Sequence, residues 1–195
     1  MKASGVINAG GKSTRMKFNK AFAEINGTPI IKIIIDKFTP LFPEIIIISN
    51  QPDLYKDLGY KVYTDIYPDK GPVGGIHTAL NYAAYDQIFI LGCDMPFMDM
   101  RIAEFMLGKL ADKDSVVPKI NGYMQPMSAA YSKKCLPRLK YNLENDLLKL
   151  TKLFEELNSI IIEEEELKCF GNLDELFLNV NDQSALQRAI LIAGR

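Results

Sequence analysis

The sequence predicts a single α/β domain built on a doubly wound, mostly parallel sheet that is flanked by helices. Short runs of β-branched residues alternate with longer segments in which apolar residues recur at helical spacing. Such alternation is typical of a parallel sheet with helices on both faces. At 195 residues one core is expected, and we divide the chain into a first half, 1–118, and a second half, 119–195.

The predicted elements follow one another in strand–helix order. Strands are expected at 5–7, 44–48, 60–63, 87–91, 115–117, 123–131, 160–162 and 176–180. Helices are expected at 29–38, 52–58, 74–84, 102–110 and 133–157, with a last helix that runs to about Ile192. Pro118 is expected to interrupt its strand, Asp99 to cap the fourth helix, and Asn181 or Asp182 to cap the last one.

Charge and apolar patterning exclude two classes of protein. The chain has 23 Lys and Arg against 24 Asp and Glu, and this formal net charge of −1 argues against a nucleic-acid binder. Apolar runs such as 33–35 and 45–48 are far too short to span a membrane. The first predicted strand begins so soon after Met1 that no signal peptide is expected.

The cysteines and the single histidine offer little catalytic chemistry. Cys93, Cys135 and Cys169 are widely separated and form no C-x-x-C motif, so they favour a reducing, cytoplasmic location over a disulfide framework or a zinc site. His77 falls inside a predicted helix, where a structural or partner-contacting role is expected. Tyr123 and Tyr131 have the spacing of core residues.

A glycine-rich loop, N-A-G-G-K-S-T-R-M at 8–16, follows the first predicted strand. Its adjacent glycines allow a sharp turn that directs several N–H groups at one anion, and the cations Lys12, Arg15, Lys17 and Lys20 lie along the same stretch. Phosphate binding is therefore predicted, with a flexible turn carrying solvated charges as the alternative. The loop is neither a Walker A loop, because Val6 stands at the first glycine position, nor a G-x-G-x-x-G fingerprint.

Polar side chains follow the other predicted strands. Asp94 comes after the fourth strand, where a carboxylate can hold Mg²⁺ together with substrate phosphates. Asn50 follows the second strand, and Asp65 precedes a second glycine-rich turn at 71–75. Open α/β sheets bind ligands at the carboxyl ends of their strands, so these groups are expected near one crevice, although each alone also fits ordinary turn chemistry.

Five motifs resemble, in the same order, those of the molybdenum cofactor guanylyltransferases. They are 8–16 with Asn19 and Lys20, G-P-V-G-G-I at 71–76, C-D-M-P-F at 93–97, Q-P-M-S-A-A-Y at 125–131 and N-V-N-D at 179–182. Because they occur from residue 8 to residue 182, the resemblance extends over nearly the whole chain. The resemblance implies a Rossmann-like fold of the nucleotide-diphospho-sugar transferase type. It also implies transfer of GMP from GTP to the terminal phosphate of the molybdopterin-bound molybdenum cofactor, with release of pyrophosphate.

The resemblance assigns a role to each matching residue. Arg15, Lys20 and Asp94 would be catalytic, and Asp94 would bind Mg²⁺. Gln125, Asn179 and Asn181 would lie on the pterin side. The guanine nucleotide would be held by a larger set: Asn8, Ala9, Gly10, Gly11, Lys20, Asn50, Asp65, Gly71 and Asp94.

Three positions depart from the family pattern: Asn8 replaces Leu, Lys17 replaces Gly and Asn19 replaces Asp. Asn8 adds a polar side chain beside the base site, which leaves a cytidylyltransferase acting on the same pterin, or another sugar- or cobinamide-phosphate nucleotidyltransferase, as alternatives. A non-enzymatic nucleotide-sensing or adaptor protein is disfavoured, because it has no need of a metal carboxylate. The implied partners are GTP and the molybdenum cofactor, with transient contacts to cofactor-delivery proteins and molybdoenzymes.

Overall fold

The structure, a computed structural model, describes residues 2–10 and 19–195. The strands in this part of the chain are β1 Ser4–Asn8, β2 Glu24–Ile25, β3 Thr28–Pro29, β4 Glu44–Ile48, β5 Lys61–Tyr63, β6 Gln87–Gly92, β7 Ser115–Ile120, β8 Tyr123–Met124, β9 Ser128–Ser132 and β10 Ser159–Ile162. The helices are α1 Ile30–Phe38, α2 Gly71–Tyr82, α3 Met100–Leu110, α4 Leu136–Glu144, α5 Leu150–Glu156, α6 Glu164–Leu167, α7 Leu173–Leu176 and α8 Gln183–Ala193.

The central sheet has the strand order β10-β7-β9-β6-β1-β4-β5, with β8 added beside β7. β1 pairs in parallel with both β4 and β6, β4 with β5, and β10 with β7, while β9 runs antiparallel between β6 and β7. The predicted doubly wound, mostly parallel sheet is confirmed. Because the chain proceeds from β1 to β4 on one side and later to β6 on the other, the strand order reverses at β1.

The two faces of the sheet are covered by separate apolar clusters. Val6 and Ile7 are neighbours in β1 and both are fully buried, yet they belong to opposite clusters, since successive strand side chains point to opposite faces. α1 and α3 cover one face, and α2, α4 and α5 cover the other. Among the described residues, no helix combines the length and apolar character needed to cross a membrane.

Several predicted helix ends are confirmed and others shift. The Asp99 side chain accepts a hydrogen bond from the Arg101 N–H at the start of α3, and Asp182 accepts one from the Ala185 N–H at the start of α8. α2 begins at Gly71 instead of residue 74, because Pro72 fits the first turn, where no backbone N–H is needed. The helix predicted at 52–58 is instead two 3₁₀ turns, Pro52–Leu54 and Lys56–Leu58.

The second half of the chain departs most from prediction. Pro118 does not interrupt β7, since it lies opposite Ile162 at the end of the β10 ladder and its carbonyl accepts the Gln125 N–H at 2.8 Å. The strand predicted at 123–131 is two strands, β8 and β9, with a turn between them, and the helical stretch at 133–157 is broken into a 3₁₀ turn, α4 and α5.

No strand forms at 176–180. α7 ends at Leu176, and the following residues are irregular, with Phe177 and Val180 buried. The Val180 N–H donates to the Asp94 carbonyl at 2.8 Å, so this segment is tied to the loop after β6. The apolar residues that suggested a strand reach the core without joining the sheet.

Candidate active site

A cleft of about 200 Å³ opens at the carboxyl ends of β1 and β6, where the strand order reverses. Asn8, the last residue of β1, pairs in register with Ile48 and Gly92, and its carbonyl accepts the Cys93 N–H at 3.0 Å. The cleft is lined by Asn8, Ala9, Gly10, Asn19, Lys20, Gly92, Cys93, Asp94, Met127 and Asn179. Five of the predicted nucleotide-site residues therefore share one crevice.

Lys20 is placed in this cleft by a capped turn. It begins a 3₁₀ turn, Lys20–Phe22, whose preceding residue Asn19 accepts the Ala21 N–H on its side chain at 3.0 Å. The Asn19 amide also donates to the hydroxyl of buried Tyr55 at 2.9 Å, which fixes the orientation of the cap. The residue that departs from the family pattern thus keeps a positioning role.

The Lys20 ammonium lies 3.8 Å from Asp94 Oδ2, and each side chain is 21 % exposed. Burial raises the pKa of Asp94, and the nearby ammonium of Lys20 offsets part of that rise. Gly92 gives this carboxylate its room, because a Cβ at that position would lie 2.8 Å from Asp94 Oδ1. Burial therefore destabilises the charged form of the Asp94 carboxylate, and a bound cation would stabilise that form.

The second half of the chain reaches the same pair. The Lys20 ammonium donates a hydrogen bond to the side-chain oxygen of Asn181, which lies between the irregular segment and α8. Asn181 is held in turn by the bond from its N–H to the Asn179 carbonyl at 3.0 Å. The structure therefore brings Asn179 and Asn181 to the edge of the cleft that contains Lys20 and Asp94.

The Asn8 side chain lies between β1 and two other elements. Its amide N–H contacts Met127 Sδ at 3.0 Å, and its Oδ1 lies 3.3 Å from where a Cβ on Gly75 would be. Because Gly75 has no side chain, α2 approaches this residue closely. Among the described residues, a thioether is the only hydrogen-bond acceptor for the Asn8 amide, and thioethers are weak acceptors.

Asn50 and Asp65 form a second polar pair beyond β4 and β5. The Asn50 amide donates to Asp65 Oδ2 at 3.0 Å, and the Asp65 N–H donates back to Asn50 Oδ1 at 3.1 Å. Asp65 Oδ1 is buried and has no hydrogen-bond partner among the described residues. Burial raises the pKa of Asp65, and the bond from Asn50 offsets part of that rise.

A known protein family and several named relatives match most of this chain. The profile of the family described as "MobA-like NTP transferase domain" matches residues 5–160. The chain belongs to this family. A probable molybdenum cofactor guanylyltransferase of Clostridium perfringens (strain SM101) is 38% identical over 184 residues, which cover 89% of this chain and 92% of that protein. A second, from Peptoclostridium acidaminophilum, is 33% identical over 95% of this chain and 87% of its own length.

Solved structures show the same fold. Molybdopterin-guanine dinucleotide biosynthesis protein A from Archaeoglobus fulgidus superposes with a TM-score of 0.84 at 23% identity, over 98% of each chain. The 4-diphosphocytidyl-2C-methyl-D-erythritol synthase of Anaerococcus prevotii has a TM-score of 0.74 at 14% identity, over 99% of this chain and 96% of that one. The resemblance to molybdenum cofactor guanylyltransferases, and the predicted nucleotidyltransferase fold, are confirmed.

Not every predicted residue lies in the cleft. Gly11 and Arg15, with Lys12 and Lys17, lie outside the described residues. Gly71 begins α2, while Asn50 and Asp65 form their own pair, and none of these three lines the cleft. Gln125 lines a different pocket, which it shares with Asn179.

His77 and Cys93 supply no nucleophile or base here. His77 is 5 % exposed, packs edge-on against Tyr67 with ring centroids 5.1 Å apart, and does not line the cleft. Burial lowers the pKa of His77, so it stays neutral near pH 7. Burial raises the pKa of the Cys93 thiol to about 12, which keeps it protonated although it lines the cleft.

The cleft suits a magnesium ion shared with a substrate. Among the described residues, no cluster of three His, Cys, Asp or Glu side chains could hold a metal by itself. Mg²⁺ often takes only one or two protein carboxylates and completes its coordination with substrate phosphates and water. Asp94, with the space left by Gly92, fits that donor set.

Some residues of the site escaped prediction. Met127 lies inside a recognised motif, but no spacing rule indicates that its sulfur contacts Asn8. Tyr123 was predicted to be a core residue and is instead 75 % exposed, because it lies on β8, which pairs with β7 alone. Tyr131, in contrast, is buried as predicted.

Proposed function

We propose that this protein transfers GMP from GTP to the terminal phosphate of the molybdopterin-bound molybdenum cofactor and releases pyrophosphate. The relatives that match most of the chain are named for this activity. The observation that carries the proposal is the convergence in one cleft of Lys20, Asp94 and Asn181, which come from three separate parts of the chain. A cation, a carboxylate and an amide at a strand-order reversal suit a site that aligns phosphates.

The reaction needs no general base from the protein. A phosphate oxygen of the acceptor, already anionic near neutral pH, forms a bond to the α-phosphorus of GTP while the bond from that phosphorus to the pyrophosphate oxygen breaks. Catalysis then depends on alignment and on neutralising negative charge. This agrees with a cleft in which the described residues offer neither an ionisable thiol nor a histidine.

Each charged residue of the site is proposed to bind a different group of the substrates or the metal ion. Lys20 would contact a phosphate and Arg15 the departing pyrophosphate, while the backbone of Asn8, Ala9, Gly10 and Gly11 would hold the nucleotide beside β1. Asp94 would hold Mg²⁺, whose charge would stabilise the phosphate oxygens as the bonds exchange.

Other side chains would recognise the guanine base and the acceptor. A carboxylate at Asp65 can accept from both N1–H and the 2-amino group of guanine. Asn50 orients that carboxylate, and Gly71 begins α2, whose Gly75 lies against the side chain of Asn8. Gln125, Asn179 and Asn181 would contact the acceptor. We place the reaction in the cytoplasm, with transient contacts to cofactor-delivery proteins and molybdoenzymes.

A cytidylyl transfer to the same pterin is the second candidate. It is favoured by Asn8, whose polar side chain replaces leucine next to the base site. Pyrophosphate release measured with GTP, CTP, ATP and UTP, each with and without molybdopterin cofactor, separates the two. We expect release with GTP alone and only when the acceptor is present, and acceptor-dependent release with CTP alone would replace guanylyl by cytidylyl transfer.

The role of Asp94 is tested in the same assay. Asp94→Ala should lower transfer by about three orders of magnitude in the presence of Mg²⁺, because the ion would no longer be held where its charge neutralises the phosphates. Asp36→Ala is the matched control, since it removes an exposed aspartate on α1 that pairs with Lys32. Near-normal turnover of the Asp94 variant would contradict the proposed function, as would binding of GTP without any release of pyrophosphate.

A further inference from the structure

A second pocket of about 300 Å³ adjoins the cleft. Asn179 lines both cavities, so the two meet at this residue. A ligand with its phosphate beside Lys20 and Asp94 can therefore extend past Asn179 into the second pocket. That geometry suits an acceptor that has a phosphate at one end and a ring system at the other.

One wall of the second pocket is a tight hairpin. β7 and β8 pair at Ile120 and Tyr123 and are joined by Asn121 and Gly122, whose φ values of 51° and 78° fit a two-residue turn with both central residues left-handed. This turn presents the Tyr123 ring at the rim of the pocket with 75 % of the residue exposed. An exposed aromatic side chain at the mouth of a pocket is a platform on which a flat ring can stack.

The opposite wall comes from the end of the chain. Phe177 supplies a buried apolar surface, and Asp174 and Arg188 supply charges of opposite sign. The Arg188 guanidinium donates to the Asp174 carbonyl at 3.4 Å, a contact between α8 and α7. An apolar floor with a few polar groups around it is the usual form of a small-molecule site.

We propose that the second pocket holds the pterin ring system of the acceptor, with Tyr123 stacked against a ring face and Asp174 and Arg188 at the ring edge. The proposal rests on the proposed function for the identity of the acceptor. A pterin carries both N–H donors and oxygen and nitrogen acceptors along its edge, so it uses a carboxylate and a guanidinium together. Gln125 also lines the pocket, and its amide donates to the Tyr123 carbonyl at 3.2 Å.

The decisive experiment is steady-state transfer by Tyr123→Ala and Arg188→Met. We expect each to raise the KM for the molybdopterin acceptor about tenfold, which corresponds to one lost stacking or charged contact, with the KM for GTP unchanged. Tyr141→Ala is the matched control, because Tyr141 is 52 % exposed on α4 and lines neither cavity. An unchanged acceptor KM in both variants would overturn the proposal while leaving the transfer reaction intact.

Direct binding separates failure of this proposal from failure of the proposed function. 6-Hydroxymethylpterin is fluorescent, and its binding is followed by the change in that fluorescence without any nucleotide. If the unmodified protein transfers no nucleotide to the cofactor, pterin binding that is lost in Tyr123→Ala and kept in Tyr141→Ala still supports the pocket. In that case equal binding by both variants, or none by the unmodified protein, refutes it.

Discussion

A carboxylate at the amino ends of the parallel strands, Glu44, and one at their carboxyl ends, Asp94, differ in how many protein groups bond to them. At the amino ends, Glu44 Oε2 accepts from the Ser4 hydroxyl at 2.5 Å and from the Ala84 N–H at 2.7 Å, and the Ser4 oxygen accepts from the Tyr85 N–H. At the carboxyl ends, Asp94 has one ammonium 3.8 Å away, and burial raises its pKa. The amino-end network is closed by the protein itself, whereas the carboxyl-end group is left for a ligand to complete.

Among the substitutions that test this difference, Gly92→Ala is expected to have the largest effect on the rate of transfer. The new Cβ would lie 2.8 Å from Asp94 Oδ1, and the carboxylate, being the end of a side chain, would swing away while the strand stays in place. Transfer measured as kcat/KM for GTP should fall about 100-fold, the usual result of a small displacement of a catalytic group. The free energy of unfolding should change by about 1 kcal/mol or less.

A second glycine provides the control for that substitution. Gly108 lies in α3, and apart from its own turn of helix no heavy atom of the described residues comes within 4 Å of where its Cβ would be. Gly108→Ala should keep full activity and stabilise the helix by about 0.5–1 kcal/mol. If Gly92→Ala were as active as Gly108→Ala, the position of the Asp94 carboxylate would not matter for transfer.

Glu44→Ala tests the other end of the strands. It removes the acceptor for the buried Ser4 hydroxyl and for the Ala84 N–H, so the free energy of unfolding should fall by about 2 kcal/mol. Activity at about 25 °C should not change, because the network lies at the amino ends of the strands, whereas the cleft lies at their carboxyl ends. Urea unfolding measures the loss, with Glu104→Ala, an exposed glutamate on α3, as the control.

A loss of activity without a loss of stability in Glu44→Ala would reverse the comparison. It would mean that the amino ends of the strands contribute to the reaction and that the closed network is more than structural.

The sequence predicted the carboxyl-end groups better than the walls around them. Asp94, Asn50 and Asp65 each come after a predicted strand, and parallel strands bring their carboxyl ends to one edge of the sheet. Neither period nor spacing indicates the hydrogen bond from Lys20 to Asn181, because it joins positions 161 residues apart. The direction in which Tyr123 points depends on an unpredicted break between β8 and β9.

The misplaced strand at 176–180 has the same origin. Its apolar residues are buried as a strand's would be, so the pattern correctly predicts contact with the core. The Val180 N–H donates to the Asp94 carbonyl and not to a neighbouring strand, and this contact joins distant parts of the chain that no local pattern relates. The segment that was hardest to predict is also the one that carries Asn179 and Asn181 to the cleft.

The smallest expected effect is a gain in stability from Asp94→Asn. Because burial raises the pKa of Asp94 above its ordinary 3.8, the folded state holds a proton that the unfolded state releases in the pH range between the two values. Stability therefore falls as pH rises through that range, and the charged carboxylate destabilises the fold at neutral pH. A neutral amide of the same shape should raise the free energy of unfolding by about 1 kcal/mol at pH ~7.5 while transfer is lost.

The pH dependence makes this prediction specific to ionisation. At pH ~4, close to the ordinary value of 3.8, Asp94 is protonated more often in the folded than in the unfolded protein because its pKa is raised, so the difference between the variant and the unmodified protein should shrink. Urea unfolding at both pH values measures it. An Asp94→Asn variant that is less stable at pH ~7.5 would show that the ion pair with Lys20 outweighs the cost of burial, so that the carboxyl-end group, like Glu44, is satisfied by the protein alone.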